Sequence, residues 1–143
     1  MASGQGPISM KLRLVIALTG LSLLSGAWVL VHGSDVEYFY PQPWFFTDEV
    51  SAGLGVVAKA MLLVAAFARS AKAILAAWAW VLILVCEFIV NFRSFAFGRI
   101  FPPEMFTVYL IGWTTFALIP ATVLFLLYRA KINGQLATHD KAS

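Results

Sequence analysis

Two ionisable residues stand inside long apolar stretches, Lys59 in GVVAKAMLLV and Glu87 in LVCEFIVN. A charge in an apolar medium costs about 2.5–3.5 kcal/mol on insertion scales, so each needs a partner or a polar cavity. Three kinds of chemistry are open to such a pair. It could lock two helices together, couple to a moving proton or ion, or supply a counter-charge to a bound head group. Trp80, Glu87 and Asn91 are spaced by seven and four, which places them on one face of a helix, and Ala73 and Ala76 extend that face. Ala52, Gly55, Lys59 and Ala66 share a face in the preceding stretch, and Thr19, Ser22, Ser25 and Gly26 form a similar small face near the N-terminus. Small residues let helix backbones approach closely in lipid. A Lys59–Glu87 contact across a helical hairpin is therefore expected, direct or through water, with Asn91 beside it. The two differ in depth by about 8–10 Å, much of which a lysine stem can cover.

Other candidates lie in the connecting segments. His32, Asp35 and Glu37 could hold a metal, but three such residues within six positions occur often by chance, so no metal and no cofactor is named. Tyr38, Phe39, Tyr40, Trp44, Phe45 and Phe46 crowd one segment. Phe92, Phe95, Phe97 and Phe101 alternate with Arg93 and Arg99 in another. Aromatic belts are usual at a membrane boundary. At this density Tyr38, Tyr40, Trp44, Phe45, Arg93 and Arg99 are also candidates to dock a partner protein or to hold a quinone, lipid or pigment, with the arginines suited to lipid phosphate. The lone cysteine, Cys86, allows no intrachain disulfide and is expected to be a buried small hydrophobe. No nucleophile–base pair, phosphate loop or metalloprotease pattern occurs, which argues against an enzyme.

The elements that carry these residues follow from composition. Of 143 residues, 61% are hydrophobic and only 12% charged, and the mean hydropathy is +0.85. A soluble domain is nearer 45–50% apolar and about 25% charged. So little charge cannot cover a water-facing surface, which excludes an ordinary soluble globule, a disordered chain, a coiled coil and a nucleic-acid binder. The expected fold is an all-α integral membrane protein, a four-helix transmembrane bundle with aromatic-rich outer loops. A tail over 1–13 leads into a domain over 14–131, with spans at about 14–31, 48–69, 73–91 and 105–128, and a polar tail over 132–143. A cleaved signal peptide competes for the first span, which is longer than such segments usually are. Pro41 and Pro43 end the first span region, and Thr47 suits an N-cap ahead of Asp48 and Glu49. The Arg69–Lys72 break has neither Gly nor Pro, yet a tight hairpin is expected there, because one helix over 48–91 would be about 66 Å long, twice the hydrocarbon thickness. Pro120 should disturb the fourth span near Phe116, with Thr115 or a neighbouring helix able to satisfy the freed carbonyl.

Orientation follows from Lys and Arg. Lys11, Arg13, Arg69, Lys72, Arg129, Lys131 and Lys141 fall on one side, and Arg93 and Arg99 on the other. That asymmetry predicts both termini in the cytoplasm and residence in the inner or plasma membrane. The expected function is a small non-enzymatic subunit or scaffold of a larger membrane complex, with lipid and either other subunits or a second copy as partners, and no nucleic acid. One alternative is a small oligomeric transporter or channel working through Lys59 and Glu87. The other is a quinone-, lipid- or pigment-binding membrane protein.

Overall fold

Four α-helices account for nearly all of the computed structural model, which describes residues 7–32, 48–98 and 103–137. They are α1 (Met10–His32), α2 (Asp48–Phe67), α3 (Lys72–Gly98) and α4 (Pro103–Ile132). All four are long and apolar enough to cross a membrane. Each packs on its chain neighbours, and α4 closes the ring against α1, while the diagonal pairs do not touch among the described residues.

The helix ends have local causes. Ser9 caps α1, its Oγ accepting the Leu12 N–H at 3.4 Å, so α1 begins at Met10 rather than at the expected 14 and takes in Lys11 and Arg13. α2 ends at Phe67, and the hairpin turn is made without glycine. The Ser70 N–H donates to the Ala65 carbonyl at 2.9 Å and the Arg69 N–H to the Ala66 carbonyl at 3.1 Å. This is a Schellman stop, and it puts Arg69 in the left-handed region at φ 51°. α4 stops in the same way, with the Gln135 N–H on the Ala130 carbonyl at 2.9 Å and Gly134 at φ 65°. α3 runs on to Gly98, through a segment expected to be a loop from residue 92. The sequence Asn91 to Phe97 holds no helix breaker, so nothing stops it before that glycine. Pro103 stands at the first position of α4, where its missing N–H costs nothing.

Within α4 the threonines behave differently from expectation. Thr115 Oγ1 donates to the Ile111 carbonyl at 2.9 Å and Thr114 Oγ1 to the Leu110 carbonyl at 2.7 Å. Both bond back to the preceding turn, so Thr115 is not turned to the Phe116 carbonyl that Pro120 frees. Pro120 itself is fully buried.

The chain beyond α4, expected to be a polar tail, folds back onto the hairpin turn as far as it is described. The Ala137 N–H donates to the Arg69 carbonyl at 2.7 Å and the Ala71 N–H to the Ala137 carbonyl at 3.2 Å. This makes a parallel bridge of Ser70 with Ala137. Leu136 is buried beneath it. Ser9 Oγ donates to Gln135 Oε1 at 2.8 Å. The two chain ends and the α2–α3 turn are thus fastened together at one end of the bundle, called here the terminal end. The opposite end, where α1 and α3 stop and α2 and α4 begin, is the loop end.

The core belongs to the terminal half. Leu12, Val15, Leu62, Ala66, Ala73, Ala77, Val123, Leu127 and Ala130 are all buried, and each lies between the terminal end and the level of Lys59. Fully buried alanines on α2, α3 and α4 let the helices come close there.

Candidate functional site

Lys59 and Trp80 are equally far along α2 and α3 from the turn between them, so they stand at one level of the hairpin. The ammonium of Lys59 lies over the Trp80 ring, 5.2 Å from its centroid. Trp80 is buried, and its negative ring face is a natural seat for a cation away from water. On the other side Lys59 Nζ donates to the Ser22 carbonyl of α1 at 3.2 Å. In a regular helix that carbonyl already accepts from the Gly26 N–H, and its second lone pair takes the lysine. Gly26 makes the approach possible, because a Cβ there would be 3.3 Å from Lys59 Nζ and 3.4 Å from Val56 Cγ2. One lysine therefore ties three helices together.

Glu87 is seven residues beyond Trp80 on α3, two turns or about 10 Å farther from the hairpin turn. It is half-buried. Thr19, one turn before Ser22 on α1, is fully buried, and its Oγ1 has no hydrogen-bond partner among the described residues. The spacing of Thr19, Ser22 and Gly26 was legible as a small face. The sequence did not signal that the Ser22 backbone, not its hydroxyl, meets the lysine. Trp80 was legible on the face of Glu87 and Asn91, and reflecting Lys59 through the midpoint of the hairpin turn sets it at the same level.

Other candidates fall as follows. Asn91 and Arg93 both lie on α3, and their side chains are outside the described part. His32 ends α1, with its side chain likewise outside, and Asp35, Glu37, Tyr38, Tyr40, Trp44, Phe45 and Arg99 are outside the described residues. Cys86 is exposed rather than buried, because it faces away from the other helices one position before Glu87.

The loop half holds a feature that sequence reasoning missed. Phe88 of α3 meets Trp113 of α4 edge-on, with ring centroids 5.2 Å apart. Around this contact runs an open groove of about 270 Å³, lined by Leu84, Val85, Phe88, Leu110, Trp113, Thr114 and Ala117. Its walls are almost wholly apolar, since the Thr114 hydroxyl is turned into its own helix. Thr114, Ala117 and Ala121 follow one another along one exposed face of α4.

No protein-family model matches the chain, and no curated protein or solved structure is significantly similar to it. The function must therefore be argued from this geometry alone.

Proposed function

We propose that the chain is an integral membrane protein with both termini in the cytoplasm, acting as a small non-enzymatic subunit of a larger membrane complex. The observation that carries the reading is the groove between α3 and α4 in the loop half. Its occupant is a transmembrane helix of another subunit. Thr114, Ala117 and Ala121 give α4 the small face on which a second helix backbone packs closely in lipid. Phe88 and Trp113 form the floor. The six described basic residues at the terminal end, Lys11, Arg13, Arg69, Lys72, Arg129 and Lys131, support a cytoplasmic placement of that end.

The seat of Lys59 favours a structural role for the intramembrane charge. Its ammonium is already held by the Ser22 carbonyl and the Trp80 ring, which a mobile gating cation would have to leave. The transporter alternative rests on a second, half-buried charge, Glu87, two turns beyond Trp80 on α3.

The test is a photo-crosslinking residue placed at Ala117, with Leu21 on the lipid-exposed side of α1 as control. The expected result is one discrete protein adduct from Ala117 and none from Leu21. The same partner should appear at fixed stoichiometry in native mass spectrometry, and Ala117→Leu should remove it. Lipid adducts alone at both positions, with a lone chain in the mass spectrum, would overturn the reading. An adduct to a second copy of this chain would replace the foreign subunit with self-association.

A further inference from the structure

At the terminal end α3 and α4 are joined by a hydrogen bond on their exposed side. Trp78 Nε1–H donates to Tyr128 Oη at 3.1 Å. The tyrosine oxygen thereby accepts, and its own hydrogen donates to nothing among the described residues. Both rings are close to half exposed, Trp78 at 45% and Tyr128 at 42%. They stand one to two turns inside the ends of their helices, the depth at which Trp and Tyr meet lipid head groups. Lys131 follows Tyr128 by three residues and so lies one turn beyond it. Lys72 opens α3, and both lysines are exposed. Arg129, by contrast, is turned to the Phe125 ring at 5.7 Å, and Arg13 donates to the Ile8 carbonyl at 3.1 Å.

Among the described residues, no acidic residue stands at the terminal end of the bundle. The first turn of α3 carries no acid either. A lysine at that position adds to the positive end of the helix dipole instead of opposing it. An exposed hydroxyl hydrogen without an acceptor among the described residues, at the end of the bundle that carries Lys72 and Lys131, fits a phosphodiester oxygen.

We propose that the terminal end of the α3–α4 face is a binding site for an anionic phospholipid. Tyr128 donates its hydroxyl hydrogen to the head-group phosphate, Trp78 holds Tyr128 in place, and Lys72 and Lys131 provide the selectivity for net negative charge. The acyl chains lie along the apolar surface below, over Leu82, which is one turn deeper than Trp78 on α3 and 61% exposed. The inference rests on the membrane reading and is independent of any partner subunit.

The test uses the full chain in mild detergent with equimolar phosphatidylglycerol and phosphatidylcholine of identical acyl chains, read by native mass spectrometry. The wild type should retain phosphatidylglycerol several-fold over phosphatidylcholine. Lys72→Gln with Lys131→Gln should bring that preference close to one. Tyr128→Phe should weaken retention of both lipids and leave the preference intact. The control pair Lys11→Gln with Arg13→Gln, at the same end but on α1, should change nothing. No preference in the wild type, survival of the preference in the lysine pair, or an equal loss in the control pair would each overturn the site. Displacement of phosphatidylglycerol by millimolar inorganic phosphate would overturn the lipid as the source of the anion. Failure of the membrane reading itself would look different, because the chain would then be released from membranes by alkaline carbonate without detergent.

Discussion

From the terminal end to the level of Lys59 and Trp80, all four helices bury apolar side chains against one another. Beyond that level, among the described residues, α4 meets α3 across a groove, and Ile111, Phe116 and Leu118 are exposed. Both halves are mostly apolar in sequence. They differ in side-chain size at the contact. Ala66, Ala73, Ala77 and Ala130 line the closed half, whereas the large rings of Phe88 and Trp113 meet between α3 and α4 in the open one. In a medium as apolar as the side chains, burial alone drives nothing, and helices join where their surfaces fit. Hydrophobicity therefore places the spans, and residue size decides which half of the bundle is sealed.

That contrast can be broken most sharply by the same substitution in each half. Leu127→Ala should destabilise the protein by about 2 kcal/mol or more, mostly through the cavity left in the closed half. Leu118→Ala, in the open half, should stay within about 0.5 kcal/mol. Denaturation of the two variants in mixed micelles reads the difference directly, and equal losses would mean that the two halves are packed alike.

The next effect concerns the boundary between them. A double-mutant cycle of Lys59→Met and Glu87→Gln should give a coupling energy of about 1 kcal/mol, the double variant costing that much less than the sum of the two single losses. Zero coupling would mean that the Ser22 carbonyl and the Trp80 ring hold Lys59 without help from Glu87. The smallest effect lies in the turn that closes the terminal end. Arg69→Gly should stabilise by about 0.5–1 kcal/mol, because glycine adopts the left-handed conformation without the strain a side chain suffers. A loss of stability there would show that the Arg69 side chain contributes more than its backbone conformation costs.

Four long apolar stretches and their polar breaks were enough to read the helices from the sequence. The reason is that apolar length is a property of each segment alone. The boundaries moved where a local cap acted, as at Ser9, or where no breaker was present, as from Asn91 to Phe97. The hairpin was legible, but its mechanism was not, since nothing in Arg69-Ser70-Ala71-Lys72 advertises an arginine in a glycine's role. Lys59 and Glu87 were visible because charge in an apolar run is rare. The Ser22 carbonyl was invisible because backbone acceptors are the same at every residue. The Trp78–Tyr128 bond was equally hidden, since it joins residues fifty positions apart and depends on how α4 returns beside α3. Likewise, residues 132–143 read as polar and unattached, and only the tertiary arrangement reveals that Gln135 and Ala137 have partners in the first and middle parts of the chain.

Those partners impose an order on biosynthesis. Residues 135–137 leave the ribosome after all four spans, and they supply one side of the bonds that join Ser9, Arg69 and Ala71. The helices can enter the bilayer one after another, but the clasp closes only when the fourth is complete. A nascent chain stalled before that point would hold all its hydrophobic segments and still present an open end to quality-control proteases. For the same reason a chain cut after Ile132 should insert normally and be cleared faster than the full-length protein.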